Sequence, residues 1–293
     1  MQAFTIKDIE NLTGIKAHTL RIWEQRYDFF KPKRKESKHR IYDNEDLKHL
    51  LRIAFLYHDG WKVSKIASLS EHAIIAAVQE APVQSGNYTS HITRLIEAML
   101  DFNELGFNAV LSDIIEKTSF EESIVQVCYP YLVKLGNLWS TNHAIPAQEH
   151  FSTYLIQNRV IVETDKLPLK ERTPEIVLIC PQGEFHELPL LFINYLLRKN
   201  GWSTAYLGTN IKLEELNEII QTTGAAYIYL HLLTNFTGLS VDDYLESICL
   251  RFRSKQIIAS GGGAQKSQRP FVNLKVLNSD KSIYDFIYKG KPI

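Results

Sequence analysis

The chain has 293 residues, 45% of them hydrophobic, and 33 basic side chains balance 33 acidic ones. That length suits about two soluble domains, and no apolar run approaches the ~20 residues that cross a bilayer. Three widely spaced cysteines (Cys128, Cys180, Cys249) argue against a disulfide framework or a zinc knuckle. The N-terminus lacks the basic, apolar and small-residue regions of a signal peptide, so a cytoplasmic protein without membrane association is expected.

The charge is unevenly placed. Met1 to Ile75 carry 14 Lys/Arg against 10 Asp/Glu, a net of +4, which leaves −4 for the remainder. Six of those positive charges lie in KPKRKESKHR, residues 31–40. A neutral chain with one basic stretch suggests a small nucleic-acid module joined to an acidic remainder.

In chain order, Phe4, Ile6, Ile9 and Leu12 recur at helical spacing, with Thr5 as N-cap and Asp8 three residues on. Thr13-Gly14 breaks this helix. A second helix reads KAHTLRIWEQRY, 16–27, with Leu20 and Trp23 inward, so the pair forms a helix-turn-helix presenting Lys16, His18, Thr19 and Arg21 to a major groove. Residues 29–42 read as a β-hairpin wing. Asp43 or Asn44 caps the next helix, with Leu47, Leu50, Leu51, Ile53, Ala54 and Leu56 inward; Gly60-Trp61 ends it, and Val63–Ala67 begins a shorter one.

The run TIKDIENLTGIKAHTLRIWEQRY with HRIYDNEDLKHL downstream resembles the winged-helix DNA-binding domain of the MerR family. The resemblance implies recognition-helix contacts in the groove and phosphate contacts from the wing residues Lys33, Arg34, Lys38, Arg40 and Tyr42. Two copies are needed to read an operator, so a homo-oligomer, dimer or tetramer, on double-stranded DNA is expected. The module is assigned residues 1–75. VQEAPVQSGNYTSH, with Pro82, Ser85 and Gly86, reads as a linker, assigned 76–90.

Residues 91–168 carry several helical patterns and little strand signal, as in a four-helix bundle. Within them WSTNHAIPAQEH places Trp139 at a helix end and Glu149-His150 in the first turn of the next helix. Either these residues line a ligand cavity, or Trp139 is core and the two polar residues face water. Residues 172–293 alternate apolar strands (EIVLIC, STAYLG, AAYIYLHLL, QIIAS, NLKVL) with helices, which predicts a doubly wound parallel sheet. There is no GxGxxG and no GxxxxGK[ST], so nicotinamide and ATP chemistry lack support.

GEFHELP after the first of these strands, Leu207-Gly208 after the second and Gly262-Gly263 after a later one resemble the Rossmann-like cobalamin-binding domains. That resemblance implies His186 as the cobalt ligand from below, Glu184 as its companion, and room for the nucleotide tail at the glycines. The spacing from Trp139 to Glu149-His150 resembles the cap over the upper face of the cofactor in light-responsive, adenosylcobalamin-dependent MerR-type repressors of carotenoid genes. The three modules imply a repressor whose oligomeric state and DNA binding respond to cobalamin and to light. Two alternatives share parts of the pattern: a MerR-type regulator whose pocket binds another ligand or none, and a corrinoid methyl-transfer protein, against which the basic wing argues.

Three positions depart from the pattern. Pro189 stands where the family has glycine. Leu230-His231-Leu232 stands in place of the serine-x-leucine element, so a hydroxyl near the buried base is missing and Thr234 is the nearest substitute. Ser140 follows Trp139 where the light-responsive relatives carry a histidine, and serine cannot take the upper cobalt position.

Overall fold

In a computed structural model the described residues are 4–27, 33–34, 40–82, 87–140, 146–169, 173–234 and 240–289. They divide between two compact units, Met1–Leu155 and Ile156–Ile293. No described helix is long and apolar enough to cross a membrane.

The first unit opens with α1 (Ile6–Thr13) and α2 (Ala17–Arg26). Thr5 and Asp8 form the expected capping box, satisfying backbone N–H groups that a helix start leaves open, and Gly14 turns the chain at φ 72°, a value that glycine adopts freely. A short hairpin follows, β1 (Lys33–Arg34) antiparallel to β2 (Arg40–Ile41), with Lys33 opposite Ile41. Next come α3 (Asn44–His58), capped by Asp43, then α4 (Val63–Ala67) and α5 (Glu71–Gln79). Ser70 accepts from Ala73 N and caps α5, which therefore reaches into the stretch read as linker. Ser, as a strong N-cap, outweighs the Pro and Gly further along.

Four helical rods follow: α6 (Thr89–Leu100), α7 (Glu104–Lys117), a rod of α8 (Phe120–Ser123) and α9 (Tyr129–Ser140) joined through a π-turn at Ile124–Cys128, and α10 (Pro146–Asp165). Leu95, Phe107, Ile114, Val127 and Tyr131, each at most 1% exposed, form their core. On α3, Lys48 and Arg52 lie one turn apart and pair with Asp101, at the end of α6, and Glu97 on it. Arg52 Nε and Nη2 donate to the two Glu97 oxygens at 2.8 and 2.9 Å, and Lys48 Nζ sits 3.0 Å from both Asp101 oxygens. Since residue numbers rise along one helix as they fall along the other, α3 and α6 pack antiparallel, and the winged helix and the bundle form one body.

The second unit is a five-stranded sheet with all neighbours parallel: β3 (Ile176–Ile179), β4 (Thr204–Tyr206), β5 (Tyr227–His231), β6 (Gln256–Ser260) and β7 (Leu274–Leu277), in the order β4-β3-β5-β6-β7. The crossovers run through α11 (Leu188–Lys199), α12 (Leu213–Thr223) and α13 (Val241–Arg251), and α14 (Asp280–Lys289) closes the chain. Ile176 to Ile179 are wholly buried because helices cover both faces. Counted within the sheet this is order 2-1-3-4-5, whose chain reversal falls between β3 and β5, the crevice where such folds take ligands.

Candidate nucleic-acid interface and cofactor site

Leu20 and Trp23 anchor α2, with the Trp23 ring edge-on to Tyr57 at 5.0 Å between centroids. Glu10 of α1 accepts from Ala17 N at 3.2 Å and pairs with Lys16 at 3.0 Å, fixing the entry of α2. His18 and Arg21 are exposed and Thr19 half-buried, with its hydroxyl 3.3 Å from His18 Nε2. Gln25 and Arg26 share the exposed face. The sequence reading passed over them, although positions 18, 21 and 25 have the spacing of one helical stripe.

On the wing Lys33 is 65% exposed and 3.1 Å from Asp43. Lys38 and the side chain of Arg34 lie outside the described residues. Two expected wing contacts belong elsewhere. Tyr42 is 1% exposed and bridges its backbone to Phe4, so it is a core residue tying the N-terminus to the wing; burial pushes its hydroxyl up to about 12. Arg40 is only 20% exposed and pairs with Glu24 of α2 at 2.5 Å, so its guanidinium fastens the wing to the recognition helix rather than standing free for a phosphate.

In the bundle, the backbone of Trp139 and Ser140 is helical at the end of α9, and their side chains lie outside the described residues. Glu149 accepts from Thr153 Oγ1 at 2.8 Å, and its other oxygen is 3.6 Å from Nε2 of His150, which is 77% exposed. Within this unit, then, His150 faces water. One turn inward the sequence reading missed a buried relay: Tyr131 donates to Ser152 Oγ at 2.6 Å, and Ser152 donates to the Gln148 carbonyl at 2.7 Å.

The loop after β3 carries the sharpest arrangement. Glu184 is 0% exposed. One oxygen accepts from His186 N at 3.0 Å and faces His186 Nδ1 at 2.6 Å; the other accepts from Leu233 N and Thr234 N at 2.9 Å and from Thr234 Oγ1 at 3.2 Å. Burial alone would raise this carboxyl, but the hydrogen bonds from Thr234, His186 and Leu233 outweigh it and bring the group down to about 2. Because a carboxylate can only accept, Nδ1 of His186 carries the hydrogen. In the neutral ring that leaves Nε2 with its lone pair on a side chain 52% exposed. A carboxylate that fixes the tautomer and raises the basicity of an imidazole is the usual support for a metal-ligating histidine. Among the described residues no group of three or more His, Cys, Asp or Glu side chains could hold a metal.

The surrounding positions take other roles. Thr234 donates both its backbone N–H and its hydroxyl to Glu184, which leaves that hydroxyl able only to accept. Leu207 packs partly buried on the core beneath the sheet, and Gly208, at φ 78°, accepts from Cys180 N at 2.8 Å, so this pair brackets the end of β3. Pro189 sits in the first turn of α11, where its missing N–H costs nothing. A Cβ on Gly263 would meet the Leu232 carbonyl oxygen at 2.9 Å, and one on Gly261 would meet it at 2.3 Å with φ already at 96°. Those two glycines let the chain pack on itself. Gly262 alone faces open space. Gly261→Ala is therefore expected to lower stability by about 2 kcal/mol or more in a denaturant titration, with Gly262→Ala close to neutral.

A winged helix, a helical bundle and a parallel doubly wound sheet with a carboxylate-supported histidine at its switch point define a modular DNA-binding regulator. Residues 4–72 match the MerR HTH family regulatory protein profile and residues 91–162 the B12 binding domain profile. The chain is homologous to two HTH-type transcriptional repressors of Myxococcus xanthus: CarA, 26% identical over 206 residues (70% of this chain, 68% of the relative), and CarH, 22% identical over 274 residues (92% and 91%). Its fold is shared with the monomethylamine corrinoid protein of Methanosarcina barkeri at a TM-score of 0.55 and 14% identity, covering 67% of this chain and 96% of that one.

Proposed function

We propose that the protein is a cytoplasmic transcriptional repressor, not an enzyme, whose oligomeric state and DNA binding respond to bound cobalamin, adenosylcobalamin in particular. The observation that carries this reading is the pair Glu184–His186 at the switch point of a sheet in the same chain as a MerR-type head. His186 Nε2 would hold the cobalt, Glu184 would orient the imidazole, and Gly262 would leave room beside it. Bound cobalamin supplies a cobalt–carbon bond that light can break, which makes illumination an input to test. Cofactor that binds one oligomeric arrangement better than another shifts the population of DNA-binding heads.

The test combines two measurements on the full chain. Adenosylcobalamin should be retained at micromolar protein, with a visible spectrum that differs in the dark and after illumination. Duplex DNA should bind with a steep negative slope in log salt, shallower by about one on Arg21→Ala. Loss of retained corrinoid removes the sensor and leaves the DNA-binding role; a flat salt dependence removes the DNA-binding role. A second reading keeps the head and fold with a C-terminal pocket that takes another ligand or none. It is favoured by Pro189 in the first turn of α11 and by the self-packing of Gly263.

A further inference from the structure

α9 runs from Tyr129 to Ser140, so it ends on Trp139 and Ser140, where the stretch read as a cofactor cap begins. It follows the π-turn at Ile124–Cys128, a rare turn met chiefly at functional sites. Midway along α9, the half-buried Lys134 reaches the DNA-binding head: its Nζ donates to the Leu12 carbonyl of α1 at 3.3 Å. Among the described residues it has no carboxylate partner and no other hydrogen bond, and burial pulls its ammonium below the usual lysine range. An apolar side chain would fill this position without that loss of hydration, so the ammonium is there for the carbonyl it reaches.

That carbonyl stands at a sensitive place. A helix leaves its last carbonyls without intrahelical donors and gathers negative dipole charge there, so a cation is a fitting cap. At the end of α1, Gly14 N donates to the Glu10 carbonyl at 2.8 Å, His58 Nε2 lies 2.9 Å from the Thr13 carbonyl, and Lys134 takes that of Leu12. The corner of the helix-turn-helix is therefore gripped by α3 from within the head and by α9 from the bundle. The same last turn of α1 sets the recognition helix, because Glu10 accepts from Ala17 N and pairs with Lys16.

We infer that Lys134 is a positioning residue that couples the cap end of α9 to the recognition helix, so that cofactor binding resets α2 within one protomer, independently of oligomeric state. Trp139 lies five residues beyond Lys134 on one continuous helix, about 7–8 Å along its axis. A hydrogen bond of 3.3 Å has little slack, since such a contact fades beyond about 3.5 Å. A small slide or turn of α9 therefore releases Leu12 and loosens the turn from which Glu10 holds the start of α2. Occupancy at the cap then changes the DNA-binding surface, and DNA on that surface changes the affinity for the cofactor by the same factor. The coupling rests on the cobalamin reading above, whereas the grip of Lys134 on α1 does not.

The test is amide hydrogen exchange on the full chain, with and without adenosylcobalamin in the dark, read at Gly14, Ile15, Ala17 and Leu20. Lys134→Met keeps the length of the side chain and removes the donor; Lys134→Arg keeps a cation that can reach a carbonyl. In the free protein, Lys134→Met should exchange about tenfold faster than wild type at these amides, with Lys134→Arg in between and the middle of α3 unchanged. Adenosylcobalamin should shift their exchange by about fivefold or more in wild type and by less than about twofold in Lys134→Met, although both retain the corrinoid equally and share one oligomeric state. Equal free-protein rates in wild type and Lys134→Met overturn the grip on α1. A cofactor response that persists in Lys134→Met overturns the coupling, as does a wild type that retains corrinoid with no change at these amides. A wild type that retains no corrinoid overturns the cobalamin reading and the coupling together.

Discussion

Replacing His186 by alanine is expected to weaken cobalamin retention by about 10–100-fold or more and to abolish any histidine-ligated visible spectrum, while the free protein melts as before. The separation of these effects follows from how Glu184 is held. It accepts from His186 N, His186 Nδ1, Leu233 N, Thr234 N and Thr234 Oγ1, and the alanine variant removes only the Nδ1 contact. Glu184→Ala is expected to behave differently, because it leaves the backbone N–H groups of His186, Leu233 and Thr234 without their acceptor and so costs several kcal/mol of stability. The sign of the pH dependence is fixed by the same contacts. The carboxyl lies at about 2 in the folded protein against 4.5 ordinarily, so its contribution, about 3 kcal/mol, is present above the ordinary value and lost as pH falls from there towards 2. Urea titrations at neutral and acid pH check this: a wild type that loses no more stability on acidification than Glu184→Ala would show that the buried carboxylate is not what supports the loop.

Much of this was legible in the sequence because local chemistry announces itself. Thr5 with Asp8, Gly14, Leu20 with Trp23 and the apolar strands each carry a short-range physical cause, and GEFHELP placed a histidine and an acid at the end of a parallel strand. What the sequence hid depends on partners distant along the chain. Arg40 reads as a phosphate contact until folding brings Glu24 beside it. Tyr42 reads as a wing residue until its bridge to Phe4 turns it inward. His231 looks like one more residue of an apolar strand, and only the alternation of β5 and the position of Ser260 show that its Nε2 is buried without a hydrogen-bond partner among the described residues. Gly262 and Gly263 suggested space for a ligand, yet a side chain at Gly263 would meet the Leu232 carbonyl, a contact from the neighbouring strand end that no local pattern contains.

The second large effect is expected at the seam between the winged helix and the bundle. Arg52 and Glu97 are 11% and 18% exposed and joined by two hydrogen bonds. Burial pushes the Glu97 carboxyl up, and the Arg52 guanidinium only partly reverses it. Pairing therefore does not fully recover the lost hydration, and the pair acts to fix how α3 sits on α6 more than to add stability. Two opposite outcomes follow. Glu97→Ala leaves the Arg52 guanidinium, 11% exposed, with the longer 3.5 Å contact to the exposed Glu71 and should cost about 3 kcal/mol, read as an earlier thermal transition of the first unit. The double variant Arg52→Met, Glu97→Leu, which fills the same space without charge, should recover most of that stability yet loosen the register between the helices. Since Lys48 grips Asp101 one turn away on the same face, the loosened seam should show as faster amide exchange at the first turns of α3 with the melting point retained. If the double variant melts as early as Glu97→Ala, the pair is a stabilising contact in its own right. If exchange along α3 is unchanged, the orientation of the head is set by apolar packing of Leu47, Leu51 and Ala54 alone, and the charges at the seam carry no information from the bundle to the DNA-binding surface.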